Sequence, residues 1–215
     1  MSTAKILSCR AVLFDCDGVL VDSDASVASA WGRWARRRGL DVEMVQGLVH
    51  GRRSADTVAM LVPQEDQDEE LARINRYELE DADSVTAIDG ALALLQSIPA
   101  HQWAVVTSGR AELALARLRA AGLPRPAVLV GAEQVSRGKP DPEGYKLAAE
   151  SLGVAPAEAV VLEDAAVGVR AARAAGVRAV VGVGERAAAA GVDIVVPDLR
   201  PLRWEDGQLE LRRTV

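Results

Sequence analysis

The sequence predicts an α/β protein with a doubly wound, mostly parallel sheet of Rossmann type and an inserted all-helical lid. From residue 88 onward, short apolar runs alternate with segments of helical spacing, and the runs are too continuous for strands with one face in water. Residues 20–87 lack that alternation and show few Gly or Pro, many charges and apolar residues at helical period. We therefore predict a core domain of residues 1–19 and 88–215 and a lid domain of residues 20–87.

The first predicted strand is Ala11–Phe14, an uninterrupted apolar run that suits burial on both faces. In the insert, apolar residues on one helical face lead up to Gly39, which is suited to end that helix. The arginines just before Gly39 are expected on a solvated face near the negative helix end, with an anion site as the alternative. Further helices of the insert are predicted at 42–49, 54–61 and 66–80.

The remainder of the core repeats strand and helix. Asp89 is placed to cap a helix that runs to Ser97. Asp206-Gly207, between two alternating segments, predicts a hairpin near the end of the chain. Strands are predicted at 103–107, 127–130, 159–162, 178–182 and 193–196, and helices at 111–121, 142–152 and 165–175.

Composition and charge exclude several functions. The 25 basic and 31 acidic residues give a net charge of −6, which disfavours nucleic-acid and anionic-membrane partners because no positive field attracts phosphates. No apolar stretch approaches the roughly 20 residues that cross a bilayer, and the apolar segment near Met1 is too short for a signal peptide. We expect a cytoplasmic protein. Cys9 and Cys16 would lie about 23 Å apart on one strand, so both are expected to be free, with Cys16 packed in the core.

Two acids, Asp15 and Asp17, follow the first strand directly. The carboxyl ends of strands in an open parallel sheet form the edge where ligands bind. Carboxylates one residue apart on an extended chain point to opposite sides, and they converge only if the chain opens into a loop. Gly18 permits such a loop, so the pair is a candidate site.

Three other predicted strand ends carry polar groups. Thr107-Ser108-Gly109 offers hydroxyls and free N–H groups to a phosphate oxygen, although such turns also occur as plain loops. Lys139 lies between a glycine and a proline, with a solvated side chain as the alternative. Glu163 and Asp164 repel each other, which a bound cation would relieve; alternatively Asp164 caps the next helix. Because these ends share one edge of a parallel sheet, their combination indicates a single site.

In combination the motifs resemble a known family. The order Asp15-x-Asp17-Gly18, Thr107-Ser108-Gly109, Lys139-Pro140 and Glu163-Asp164 is similar to the four motifs of the haloacid dehalogenase superfamily and spans essentially the whole chain. The first motif with its helical insert resembles the branch of small sugar-phosphate phosphatases and β-phosphoglucomutase. Segments 49–53 and 135–142 resemble phosphatases of hexose, sugar-alcohol, 2-deoxyglucose and glycerol phosphates. The resemblance implies a sugar or sugar-alcohol phosphatase, and we expect a monomer.

The resemblance also implies a role for each residue of the first two motifs. Asp15 is the nucleophile that forms an aspartyl-phosphate, and Asp17 is first the general acid and then the general base. Thr107 or Ser108, with the N–H groups near Gly109, holds the transferring oxygens. Dehalogenases of the superfamily lack an acid at the position of Asp17, which disfavours halide chemistry here.

A Mg²⁺ site is implied in the same way. The ion is expected to be held by Asp15, the backbone carbonyl of Asp17 and Asp164, with Glu163 acting through water. Lys139 would add positive charge opposite the metal.

The lid is expected to select the leaving group and to exclude water when it closes. His50, Arg52 and Arg53 are the candidate substrate contacts, with a solvated loop as the alternative. The lid motif of the mutase is not cleanly matched, because Ser54 rather than an arginine stands three residues after Gly51. A sugar-phosphate mutase and a non-catalytic phospho-receiver are the competing hypotheses; a nucleophile on the first strand, followed by a lid, suits an enzyme better than a receiver.

Overall fold

The computed structural model describes residues 5–211, and a parallel sheet lies at its centre. In chain order the strands are β1 (Lys5–Ser8), β2 (Ala11–Phe14), β3 (Val21–Asp22), β4 (Thr86–Ala87), β5 (Trp103–Val106), β6 (Val128–Val130), β7 (Ala159–Glu163), β8 (Ala179–Val183), β9 (Ile194–Val196), β10 (Leu202–Glu205) and β11 (Gln208–Leu211). The helices are α1 (Asp24–Arg38), α2 (Val42–Val49), α3 (Ser54–Leu61), α4 (Gln67–Glu80), α5 (Ala91–Ser97), α6 (Ala111–Ala120), α7 (Glu143–Ser151), α8 (Ala166–Ala175) and α9 (Glu185–Ala188).

The central sheet confirms the predicted fold class. Within the described residues, six strands lie in the order β6-β5-β2-β7-β8-β9, and each neighbouring pair is parallel. After β2 the chain builds β5 and β6 on one side and then returns to build β7, β8 and β9 on the other. The strand order therefore reverses beside β2, and the crevice at the carboxyl ends of β2 and β7 is where such folds bind ligands.

Both faces of the sheet are covered, which explains the continuous apolar runs. Ala11 and Leu13 face a core that contains residues of α7 and α8, while Val12 and Phe14 face a second core that contains residues of α5 and α6. This alternation follows from the two-residue period of a strand. Strand β2 is fully buried as a result, which makes it a rigid support for the residues that follow it.

The insert has a hydrophobic core of its own. Helices α1 to α4 supply nearly all of its buried residues, among them Trp31 and Trp34, whose rings meet edge to face with centroids 5.4 Å apart. Gly39 ends α1 in the left-handed conformation, as predicted. The insert was expected to be all helical, but Val21–Asp22 and Thr86–Ala87 pair as an antiparallel ribbon where the chain enters and leaves it. The division into two domains stays a prediction.

The last strands form a second sheet. The predicted hairpin joins β10 to β11 through Asp206 and Gly207, both with positive φ. Strand β1 pairs antiparallel with β11 and was not predicted, because its four residues depend on a partner some two hundred positions away. A short edge segment of this kind carries little periodic signal of its own.

The start of α5, the two cysteines and the character of the helices were also predicted from the sequence. The predicted cap by Asp89 is wrong: α5 begins at Ala91 after Gly90, no side chain caps it, and the Asp89 carboxylate instead lies 3.4 Å from Arg200. Cys9 and Cys16 are both buried and free, as expected. Among the helices of residues 5–211, none combines the length and the apolar character that crossing a bilayer requires.

Candidate active site

Asp15 lies at the carboxyl end of the central strand. Its backbone N–H still donates to the carbonyl of Leu162 in β7 at 3.0 Å, so the sheet holds this residue. Gly18 then turns the chain with a φ of 78°, and a Cβ at this position would lie 2.3 Å from Asp164 Oδ2. Glycine is therefore needed here both for the turn and for the close approach of Asp164.

Lys139 joins Asp15 to Glu163 in a buried network. Its Nζ donates to Asp15 Oδ1 at 2.8 Å and to Glu163 Oε1 at 2.5 Å. Burial lowers the pKa of Lys139, but the two carboxylates outweigh burial and hold the pKa well above its usual value. Burial is also the largest influence on Asp15, whose pKa it raises; Lys139 opposes this, and Glu163 and Asp164 add to it. The alternative of a solvated lysine is wrong.

Glu163 is completely buried, and both of its carboxylate oxygens accept hydrogen bonds. Oε1 accepts the hydroxyl of Tyr145 at 2.9 Å as well as Lys139. Oε2 accepts the N–H groups of Asp164 at 2.9 Å and Ala165 at 3.0 Å. Gly168 on α8 leaves the room for this carboxylate, since a Cβ there would lie 1.5 Å from Oε1. Glu163 therefore holds Lys139 in place; the sequence contained no signal for Tyr145.

Asp17 forms an ion pair with Arg117. Its Oδ1 accepts a hydrogen bond from Arg117 Nη1 at 2.7 Å. The Asp17 side chain is 29% exposed toward the cavity described below, whereas that of Arg117 on α6 is 2% exposed. Sequence reasoning missed Arg117, although one signal was present: it stands three residues after Ala114, on the buried face of its helix.

Asp164 is held by a third cation, Arg186 of α9. The Arg186 guanidinium donates to Asp164 Oδ2 at 2.8 Å and also to both oxygens of Asp24, the first residue of α1. Burial and then the neighbouring Glu163 raise the pKa of Asp164 to about 6, with Arg186 opposing. The alternative that Asp164 caps α8 is wrong, because that helix has no side-chain cap. Arg186 was also missed from the sequence.

The loop after β5 lies beside Asp15 and meets the insert. Thr107 Oγ1 accepts the N–H of Gly109 at 3.0 Å, which shapes the turn. Ser108 Oγ donates to the carbonyl of Gly51 at 2.8 Å, so this hydroxyl links the core loop to the insert. All four residues line the same cavity as Asp15.

The three predicted lid contacts do not share one position. His50 and Arg52 line the cavity with Asp15. Partial burial and the charge of Arg186 lower the pKa of His50, which favours its neutral form. Arg53 lies outside that cavity: it forms two hydrogen bonds with Asp56, at 2.8 and 2.9 Å, and also contacts the carbonyls of residues 135 and 136. Arg53 therefore connects the insert to the loop that carries Lys139.

The cavity lies between the sheet edge and the insert. It contains about 580 Å³ of empty space, part of which is open to solvent. Its floor includes Asp15, Asp17 and Asp164, and the insert supplies the polar wall residues Ser23, Asp24, His50, Arg52, Ser54 and Glu78. The insert also adds apolar surface from Val27, Trp31 and Val49. Carboxylates beside a wall of mixed polar and apolar side chains suit a small hydrophilic ligand that binds with a cation.

The carboxylates fit a hard divalent cation. Asp15, Glu163 and Asp164 each offer an oxygen within 4.8 Å of the others. Carboxylate oxygens are the ligands that Mg²⁺ and Ca²⁺ prefer, and a cation would relieve the repulsion that raises the pKa of Asp164. Asp15 and Asp164 are the best placed of the three, because both oxygens of Glu163 are already hydrogen-bonded.

Known proteins are similar to this chain in sequence and in fold. Hexitol phosphatase A of Escherichia coli is 42% identical over 174 residues, which cover 79% of this chain and 81% of that protein. Validoxylamine A 7'-phosphate phosphatase of Streptomyces hygroscopicus subsp. limoneus is 36% identical over 206 residues, covering 91% and 96%. A β-phosphoglucomutase structure from Clostridium difficile matches with a TM-score of 0.79 over 89% of this chain and 92% of its own, at 22% identity, which supports the fold alone.

The family model described as haloacid dehalogenase-like hydrolase matches residues 9–176, a span that includes all four motifs. The resemblance drawn from those motifs is confirmed by this match and by the two phosphatases. The chain belongs to the haloacid dehalogenase-like hydrolases.

Proposed function

We propose that this protein is a Mg²⁺-dependent phosphatase of small sugar or sugar-alcohol phosphates. One observation carries the proposal: a buried carboxylate, Asp15, is held by Lys139 at the floor of a cavity that a second acid, Asp17, also lines. A nucleophile, a proton donor and a fixed positive charge are the groups that phosphoryl transfer through an enzyme carboxylate requires. The similarity to hexitol phosphatase A supports the substrate class.

In the first step a carboxylate oxygen of Asp15 attacks phosphorus. The new bond joins Asp15 to the phosphoryl group, and the bond from phosphorus to the sugar oxygen breaks. The electron pair of that bond moves to the sugar oxygen, which takes a proton from the carboxyl group of Asp17 and leaves as an alcohol. Lys139 keeps Asp15 in position during the attack and adds positive charge beside the transferring group.

In the second step water attacks the aspartyl-phosphate. The Asp17 carboxylate takes a proton from the water, the bond from phosphorus to Asp15 breaks, and its electron pair returns to the Asp15 carboxylate. Inorganic phosphate leaves, and Asp17 is again protonated for the next turnover. The hydroxyl of Thr107 or Ser108 and the N–H groups near Gly109 are the proposed contacts to phosphoryl oxygens, which is supported by their place in the lining of the cavity that contains Asp15.

Asp15 and Asp164 would hold Mg²⁺, which supplies charge that screens the repulsion between a carboxylate and a phosphate. Arg186 now donates to Asp164 and restrains it beside Asp15. The insert excludes bulk water from the cavity, and His50 and Arg52 are the proposed contacts to the sugar. A cytoplasmic location and a monomeric state stay predictions.

A phosphate-release panel tests the proposal. Purified protein with Mg²⁺ should release phosphate over many turnovers from at least one of a set of hexose, hexitol, pentose and glycerol phosphates. Asp15→Asn should lower kcat below detection, because an amide is not a nucleophile at phosphorus, and EDTA should suppress the wild-type rate. Asp68→Asn, a change at an exposed position of α4, is the matched control and should keep full activity.

Two results would contradict the proposal. Substantial turnover by Asp15→Asn would exclude the aspartyl-phosphate route. Conversion of β-glucose 1-phosphate to glucose 6-phosphate with a trace of bisphosphate, without free phosphate, would show a sugar-phosphate mutase instead.

A further inference from the structure

Arg117 is a buried cation at the candidate active site that none of the four motifs includes. It lies on α6 with its side chain 2% exposed, and it donates from Nη1 to Asp17 Oδ1 at 2.7 Å. Among residues 5–211, its Nε and Nη2 have no hydrogen-bond partner. A buried guanidinium with unused donors destabilises a fold relative to an apolar side chain of similar size. Packing of α6 therefore gives no reason for an arginine here.

The surroundings of Arg117 keep it charged. Burial lowers the pKa of its guanidinium, but the carboxylates of Asp17 and Glu78 outweigh burial and raise it. Glu78 belongs to α4 of the insert, where it accepts hydrogen bonds from Trp31 and Ser54 and is itself buried. Arg117 thus lies between an acid of the core and an acid of the insert, and only the core acid is within hydrogen-bond distance.

The contact with Asp17 determines which oxygen can exchange a proton. A guanidinium donates hydrogen bonds and accepts none, so Oδ1 of Asp17 must act as an acceptor. Within the described part of the chain, Oδ2 of Asp17 receives no hydrogen bond. A proton on Asp17 is therefore placed on Oδ2, which remains available to the leaving group.

We propose that Arg117 is a positioning residue for proton transfer by Asp17. The inference rests on the proposed phosphatase function, because it names the residue that orients Asp17, the acid and base of that reaction. Arg117 fixes Oδ1, which orients Oδ2 toward the sugar oxygen that takes the proton as its bond to phosphorus breaks, and later toward the attacking water. Its contribution should therefore depend on how much the leaving group needs a proton.

Two esters separate this role from phosphate binding or folding. Glycerol 3-phosphate, or a better substrate from the panel, releases an alkoxide that needs protonation. p-Nitrophenyl phosphate releases a phenolate that departs without it. We compare kcat/KM for both, because this constant covers the steps up to release of the first product and omits hydrolysis of the aspartyl-phosphate.

Arg117→Met should lower kcat/KM for the alkyl phosphate about 10- to 100-fold and that for p-nitrophenyl phosphate by less than about threefold, since general-acid catalysis supplies about 10²–10⁴. Arg117→Lys, which keeps the charge, should recover part of the loss. Asp17→Asn should show the same selective loss. The double variant should be no slower than Asp17→Asn alone, because one residue acts through the other. Arg119→Met, at a 79% exposed position two residues along α6, is the control and should match the wild type.

The outcomes are distinct. An equal loss on both esters, or a double variant clearly slower than Asp17→Asn, would overturn the inference and leave the phosphatase proposal standing. No phosphate release from either ester by the wild-type protein would instead defeat the proposed function. If Arg117→Met fails to fold, as judged by circular dichroism, the same comparison of the two esters with Arg117→Lys decides the question.

Discussion

Asp164 should give the metal-free protein a stability that falls as the pH rises, and one substitution should remove that dependence. The Asp164 side chain is 7% exposed, and its pKa is raised from 3.8 to about 6, first by burial and then by Glu163. The folded protein therefore binds a proton more tightly here than the unfolded chain does. Between about pH 4 and about pH 6.5 the folded state retains this proton while the unfolded state loses it, so the free energy of unfolding decreases across that window.

The size of the effect follows from the shift. About two pH units at roughly 1.4 kcal/mol each correspond to about 3 kcal/mol over the whole window. About 2 kcal/mol of this is expected between about pH 4.5 and about pH 7.5. Because Glu163 and Asp15 titrate in the same cluster, we expect a measured change of about 1–3 kcal/mol. Asp164→Asn cannot ionise, so its free energy of unfolding, relative to the wild type, should rise by that amount over the same interval.

The assay is urea denaturation of both proteins in EDTA at about pH 4.5, 5.5, 6.5 and 7.5. Taking the difference at each pH cancels the titration of groups that the substitution leaves alone. Asp198→Asn serves as a flat control: hydrogen bonds from Arg200 lower the pKa of Asp198, so its contribution changes only below about pH 4.5, and the difference between this variant and wild type should stay nearly constant across the assay. A difference between Asp164→Asn and wild type that stays constant, or decreases with rising pH, would refute the reasoning.

Two further predictions follow from the same cluster. Mg²⁺ at about 100 times its Kd should raise the Tm of the wild type by about 5–10 °C near neutral pH, because the ion binds the folded state and relieves the repulsion between Asp15 and Asp164. Scanning calorimetry measures this rise. An equal rise in Asp164→Asn would contradict the prediction. Gly168→Ala should cost about 1–3 kcal/mol in urea denaturation and reduce phosphatase activity, because the new methyl displaces Glu163. Gly47→Ala, at an open position in α2, is the control, and its free energy of unfolding should increase by about 0.5–1 kcal/mol. If Gly168→Ala were as stable and active as wild type, the Glu163 carboxylate would have moved aside without cost, which would contradict the prediction.

Much of the fold and the motif residues could be predicted because they depend on local chemistry. Short continuous apolar runs bounded by turn residues indicate buried strands, and a glycine after a helical run favours the left-handed conformation that ends a helix, as at Gly39. The edge rule for parallel sheets then brings Asp15, Thr107, Lys139 and Asp164 together before any contact is known. The prediction failed for β1 and for the antiparallel ribbon at the ends of the insert, because each of these short strands depends on pairing with a distant segment of the chain.

The sequence by itself thus determined the fold class and the residues that stand at the carboxyl ends of the strands. Only the tertiary structure decided which charge faces each carboxylate. Arg117 meets Asp17 across 100 positions of sequence, and Arg186 ties Asp164 to Asp24 in the insert, while Arg53 turns away from the cavity to Asp56. The physical reason is that an arginine on a helix has the same local pattern whether it is solvated or buried. Its partner is determined by which elements pack beside it, and that packing is a property of the whole chain.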